Sequence, residues 1–282
     1  MARTPHRLIV IPASLRPPPA PSRGGDFERV AAEFILIAGG GRALLLQLAD
    51  PGVARGVAEH SGFAADPTKR LVGTVDYLYT LAFGTEEQIS AVARRVGAAH
   101  RGVRSETGPH AYDARDTDLQ LWVAATLYDT TIMMYELAWG SLSDSAAEDV
   151  YRRSARIGTA LGMPLSLWPE DRAAFAEYWD RKIATLEVTP IARRLARQLL
   201  RPERPQAWMR PVLPLARIVT AGLLPARIRE GYGVEWTPTR QRHYDRSLRR
   251  MLAVYRLLPR AIRTAPSATS RRGRATLDPP AR

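Results

Sequence analysis

Between Asp118 and Ala138 the chain is apolar on almost every side of a helix. Leu119, Leu121, Trp122, Val123, Leu127, Ile132, Met133 and Leu137 leave no continuous polar face. Such a helix is stable in water only when other elements surround it, so it is expected at the centre of the fold. Asp116 or Thr117 supplies its N-cap. The flanking sequence is also written in helical periods. Phe27 to Ala38 reads as a helix stopped by Gly39, Gly40 and Gly41, a break that lets two backbones pack closely, and Arg42 to Ala49 as the next. Pro51 opens a third, and Asp66–Pro67 caps a fourth over Thr68 to Phe83. Thr85 followed by Gln88 forms a capping box for one from Thr85 to Ser105. Ser145–Leu161, Pro169–Leu186, Ile191–Leu200 and Gln241–Leu258 complete the set. No alternating apolar–polar runs or hairpin turn pairs of note occur, so sheet content should be small.

The expected architecture is therefore all-α: a single globular helical domain over residues 26–263. The lead-in of residues 1–25, with Pro17, Pro18, Pro19, Pro21 and the Gly24–Gly25 pair, and the arginine-rich tail of residues 264–282 read as disordered.

Cysteine is absent, which excludes disulfides, thiolate metal sites, a cysteine nucleophile and covalent c-type haem attachment. It also suits a reducing cytoplasm, the expected location. The net charge of +13 is carried almost wholly by arginine, Lys69 and Lys182 being the only lysines. The charge is uneven: residues 190–282 hold 21 arginines against 5 acids, and the preceding 189 residues hold 20 basic and 23 acidic side chains. A basic end of this kind could meet nucleic acid or anionic lipid, or be a solvated helical surface. The arginines are scattered among leucines with few aromatic residues to stack on bases, so no specific nucleic-acid partner is expected. The apolar stretches Phe34–Leu48 and Val212–Leu224 are interrupted by glycine, proline or arginine. No transmembrane segment is expected, and peripheral contact with a membrane surface stays open.

Familiar catalytic signatures are missing. The triple glycine has neither the spacing nor the preceding strand of a dinucleotide fingerprint, and there is no Walker sequence, His-Glu-x-x-His pair or nucleophile elbow. The five histidines (His6, His60, His100, His110 and His243) show no tight metal-ligand spacing.

One histidine stands out by its position. In the helix after Thr85, the residues Ile89, Val92, Ala93, Val96 and Val103 form an apolar stripe that contains His100, with Arg94, Arg95 and Arg101 on the other side. An inward imidazole needs a partner: a hydrogen bond, a carboxylate or a metal. On the preceding helix Arg70, Thr74, Tyr77 and Leu81 share one face, with Gly73 beside them. An arginine and a hydroxyl facing an inward histidine suit a mostly apolar ligand with anionic edges, such as haem b. They equally suit an arginine snorkelling to the surface above a threonine bonded to its own helix.

The ordered succession of motifs resembles the MpaB-type and rubber oxygenase (latex-clearing protein) catalytic-domain family. It begins with the run from Gly40 through Ala49, then Pro51 and Val57-Ala58-Glu59-His60-Ser61. It continues through Arg70 and Thr74, Phe83–Gly84, His100 with Val103, and Tyr112 with Ala114. Leu121-Trp122-Val123 and Ala125-Thr126-Leu127 follow, and Tyr232-Gly233-Val234 and Trp236 close the succession. The resemblance implies an all-α fold with a globin-like core. In the rubber-oxygenase branch it also implies a b-type haem and dioxygen-dependent cleavage of carbon–carbon double bonds in a hydrophobic or isoprenoid-like substrate. Position by position, His100 would be the axial iron ligand, with Arg70 and Thr74 in the haem pocket and acting in catalysis. The chain departs from relatives at Gly73, where that branch has a lysine, and at Ala124 and Asp50, where many relatives have histidine. A haem-free helical ligand-binding or interaction protein on the same fold is the alternative.

Overall fold

The computed structural model describes residues 25–60, 67–107, 111–202 and 207–265. The fold is all-α. Helix α1 (Asp26–Ala31) and a 3-10 turn (Phe34–Gly39) lead into α2 (Gly40–Leu48) and α3 (Pro51–His60); α4 (Pro67–Phe83) and α5 (Glu86–His100) follow. A two-residue ribbon, β1 (Arg104–Ser105) antiparallel to β2 (Tyr112–Asp113), precedes the long α6 (Thr117–Trp139). Beyond it lie α7 (Asp144–Ser154), α8 (Arg156–Thr159), α9 (Arg172–Thr185), α10 (Pro190–Leu200), α11 (Leu213–Leu223), α12 (Ala226–Gly231), α13 (Pro238–Leu257) and α14 (Arg260–Arg263).

The apolar helix is central, as its sequence requires. Leu121, Trp122, Ala124, Ala125, Tyr128, Met134, Tyr135 and Ala138 of α6 are buried in the main core. Asp116 caps it, its Oδ1 accepting from the amides of Asp118 (2.8 Å) and Leu119 (3.2 Å). Two of its inward polar groups are answered from α2: Gln47 Nε2 donates to Thr126 Oγ1 at 3.1 Å, and Arg42 Nη1 to Thr130 Oγ1 at 2.6 Å. The Arg42 guanidinium also donates to Asp129 Oδ2 (2.6 Å) and the Leu223 carbonyl (2.9 Å), so this buried charge is paired and hydrogen-bonded, the condition for tolerating one in a core.

The glycine triplet does not stop a helix. The break falls earlier, at Ala32–Glu33, and Gly40 begins α2. Close packing is nevertheless what the glycines provide. A Cβ on Gly39 would lie 2.5 Å from Thr130 Cγ2, and one on Gly41 2.3 Å from Thr220 Oγ1, so α2 and the turn before it sit directly against α6 and α11.

Other boundaries also shift. The helix carrying His100 ends at that residue rather than at Ser105, because Arg104 and Ser105 pair with Asp113 and Tyr112. The 145–161 stretch divides into α7 and α8 at Ala155. Helices α11, α12 and α14 add to the two that periodicity placed in the C-terminal region, at Ile191–Leu200 (α10) and Gln241–Leu258 (α13). That region is tied back to the start of the chain by Arg263, which donates to both carboxylate oxygens of Glu33 at 2.9 Å. Among the described residues no single helix is long and apolar enough to cross a membrane; the stretch from Phe34 to His60 is bent by 105° and belongs to the core. Most of the lead-in, the tail beyond Ala265 and the proposed cap Asp66 lie outside the described residues.

Candidate functional site

Helices α4 and α5 form an antiparallel hairpin closed by the turn at Gly84. The Thr85–Gln88 capping box is present, with Gln88 N donating to Thr85 Oγ1 (3.3 Å) and Thr85 N to Gln88 Oε1 (3.2 Å). Near the turn the two helices share a small apolar core of Tyr77, Leu81, Ile89 and Val92, flanked by Val96 and by Ile157, Ala160 and Leu161 from the region of α8. The Tyr77 hydroxyl donates to the Ile157 carbonyl at 2.8 Å, and burial raises its pKa beyond reach of physiological titration. Farther out, Arg95 Nη2 and Asp76 Oδ2 meet at 2.6 Å and mark the register.

Beyond that pair the hairpin opens. The stripe of α5 continues inward, with Ala93, Val96, Gly97 and His100 half-buried and Arg94, Arg95 and Arg101 exposed. His100 occupies the last turn and its carbonyl accepts from Val103 N at 3.0 Å. On α4 the packing thins: Leu71, Val72 and Gly73 are exposed and Thr74 is half-buried. A Cβ placed on Gly73 or Gly97 would meet nothing within 4 Å. The side chain of Arg70 lies outside the described residues, although its backbone belongs to α4. Counting at about 1.5 Å per residue from the Arg95–Asp76 pair, Thr74 lies about 3 Å, His100 about 7.5 Å and residue 70 about 9 Å toward the open end. Residues 70 and 100 thus fall at nearly the same height on facing helices.

Sequence reasoning passed over the unit that supports this end of α5. Helix α3 lies against β2, with Gly56 admitting both Tyr112 and Val103: a Cβ there would lie 3.2 Å from Tyr112 Cε2 and 3.4 Å from Val103 Cγ1. The Tyr112 hydroxyl donates to Glu59 Oε2 at 2.7 Å, and Arg55 Nε donates to Glu59 Oε1 at 2.7 Å. Arg55 also lies over the Tyr112 ring (5.6 Å to its centre) and donates to Ser105 Oγ at 3.3 Å. Hydrogen bonds from Tyr112 and Arg55 hold the Glu59 carboxyl below its ordinary pKa of 4.5; burial, with Glu59 as acceptor, pushes Tyr112 up to about 12. His60 packs edge-on against Tyr112 at 5.9 Å. The segment leaving His100 is therefore fastened to α3 at several points. The signal in the sequence was the i,i+4 pair Arg55–Glu59 on a short helix.

The departures from relatives have local explanations. Asp50 caps α3, its Oδ1 accepting from Gly52 N at 3.0 Å, and its Oδ2 receives Lys182 Nζ at 2.9 Å, with Lys182 lying over the Trp122 ring. Ala124 is fully buried in the core.

Comparison with known proteins supports the family resemblance that the motifs carry. Residues 28–257 match the family described as ER-bound oxygenase mpaB/B′/rubber oxygenase, catalytic domain. The uncharacterized proteins Rv2237 of Mycobacterium tuberculosis and Mb2261 of Mycobacterium bovis are each 36% identical over 225 residues, covering 78% of this chain and 87% of theirs. No solved structure matches. With the family match spanning nearly the whole described core, the chain belongs to the mpaB/B′–rubber oxygenase catalytic-domain family, a family of oxygenase type.

Proposed function

We propose that this protein is a haem b-dependent oxygenase acting on a hydrophobic or isoprenoid-like small molecule, in which His100 would hold the iron and Arg70 and Thr74 would line the haem pocket. The observation that carries this reading is the half-buried imidazole at the open end of the α4–α5 hairpin, where Gly73 and Gly97 leave space.

The donor set supports haem over a bare ion. No group of three or more His, Cys, Asp or Glu side chains that could hold a metal ion occurs among the described residues. A non-haem iron or zinc site needs about three protein ligands, whereas porphyrin supplies four nitrogens of its own and asks the protein for one or two. A single imidazole beside apolar, small and hydroxyl-bearing side chains suits the second case. When bound, haem b supplies dioxygen binding and activation. The chain's own residues would hold, orient and shield: the half-buried Val96 and Val103 would limit water on the His100 side, Thr74 would offer a hydroxyl, and Arg70 would offer a guanidinium to a propionate or to an oxygen-derived anion. Cleavage of a carbon–carbon double bond by dioxygen places one oxygen atom in each carbonyl product, so the reaction needs no external reductant.

The test is product analysis. Haem-loaded protein incubated with isoprenoid oligomers under labelled dioxygen should yield paired aldehyde or ketone ends, each carrying label. Loaded protein that consumes no dioxygen with any apolar alkene would contradict the assignment of substrate class.

A further inference from the structure

The outer face of α13 is not used by the site or the core. Tyr244, Leu248, Leu252 and Tyr255 bury one side of this helix, while Arg242, Arg246, Arg249, Arg250, Ala253, Val254 and Leu257 recur at spacings of three and four on the exposed side. Arginines occupy the first three turns of that stripe and apolar residues its end. Val254 is 62% exposed and Leu257 84%, and after Pro259 the short α14 adds Ile262 at 51%. The guanidinium groups are engaged on their own helix: Arg242 with Thr239 Oγ1 (2.9 Å), Arg246 with the Arg242 carbonyl (3.3 Å) and Arg249 with the Asp245 carbonyl (3.2 Å). The nearby Asp245 carboxylate is occupied by Gln241 Nε2 at 2.8 Å. The stripe is thus a row of positive charge ending in uncovered aliphatic side chains.

We propose that this face docks onto an anionic lipid bilayer, with Leu257 and Val254 entering the headgroup–acyl boundary and the arginines lying along the headgroups. Charge and apolarity together are the features of an interfacial helix, and a leaflet rich in anionic lipid is the surface that satisfies both. Nucleic acid would satisfy only the charge. Its single strands need exposed aromatic platforms, yet Tyr244 and Tyr255 are both buried here, and aliphatic residues offer a phosphate backbone nothing. This inference does not depend on haem.

Flotation of the full chain with phosphatidylcholine vesicles, with and without phosphatidylglycerol, tests it at physiological salt. Binding is expected only with phosphatidylglycerol. Each of Arg246→Glu, Arg249→Glu and Arg250→Glu should weaken it at least about fivefold, following the attraction of one cationic side chain to an anionic leaflet. Leu257→Glu should weaken it about tenfold through lost insertion. These positions are exposed, and unchanged helical circular dichroism would show that the variants fold. Absence of binding to the anionic vesicles overturns the proposal. So does binding insensitive to Leu257→Glu, or tight binding to duplex DNA that outcompetes the vesicles.

Discussion

Arg95 and Asp76 meet at 2.6 Å across the α4–α5 hairpin, and the position of this pair sets His100 opposite the first turn of α4. Both side chains are exposed, so the pair adds at most about 1 kcal/mol to stability. Its value is geometric. It separates the packed half of the hairpin, built on Tyr77, Leu81, Ile89 and Val92, from the open half that contains Thr74, Gly97 and His100.

The two halves respond differently to substitution. With Arg70 in its proposed role, Arg70→Ala is expected to weaken haem retention by roughly 1.5–3 kcal/mol, the worth of a charge-assisted hydrogen bond. Arg94→Ala, on the exposed face of α5, should stay within about 0.5 kcal/mol in thermal stability and leave haem affinity unchanged. Haem titration of both variants decides; equal effects would mean that the faces are assigned wrongly.

Arg42 is a buried charge that joins α2 to α6 and α11. Removing its guanidinium takes one donor each from Asp129, Thr130 Oγ1 and the Leu223 carbonyl inside the core, so Arg42→Ala should destabilise by about 3–5 kcal/mol in chemical denaturation. Thr130→Val removes one neutral acceptor of that cluster and should cost about 1–3 kcal/mol.

Glycines in the same fold should give opposite signs. Gly41→Ala drives a methyl to 2.3 Å from Thr220 Oγ1 and is expected to destabilise by about 1–3 kcal/mol. Gly97→Ala meets nothing within 4 Å and sits inside α5, so it should stabilise the haem-free protein by about 0.5–1 kcal/mol. Thermal melts of the two variants against the parent give both signs directly.

The Glu59–Tyr112–Arg55 unit carries a pH dependence with a defined sign. The Glu59 carboxyl titrates below its unfolded value of 4.5, so its contribution is fully present above that value and is lost as pH falls through the lower folded value. Acid titration followed by NMR should show Tyr112 and the ribbon loosening below about pH 4.5. In Glu59→Gln the same signals should be insensitive to pH in that window; an unchanged profile would remove Glu59 as the titrating group.

Much of the fold was legible because helical periodicity is local. The all-round apolarity of residues 118–138 announced a central helix, and the Thr85–Gln88 box placed the start of α5 to the residue. Its end was not legible, since termination at His100 depends on pairing of Arg104 and Ser105 with a strand seven residues on. The glycine triplet misled for a similar reason: Gly39 and Gly41 answer to Thr130, Met134 and Thr220, which are distant in sequence. At the site, the inward stripe of α5 could be read from spacing. The Arg55–Glu59–Tyr112 unit joins an ordinary surface-helix pair to a residue 53 positions away, and no local pattern reports that contact.

The absorption spectrum of the purified protein after haem reconstitution bears most directly on the central claim. A Soret band with about one haem per chain is expected, and its loss in His100→Ala while the circular dichroism stays helical. Added cyanide or imidazole should shift the wild-type band, because Gly73 offers no amine to the iron. A wild-type protein that stays colourless with haem present, or a His100→Ala variant with the wild-type spectrum, would contradict the account.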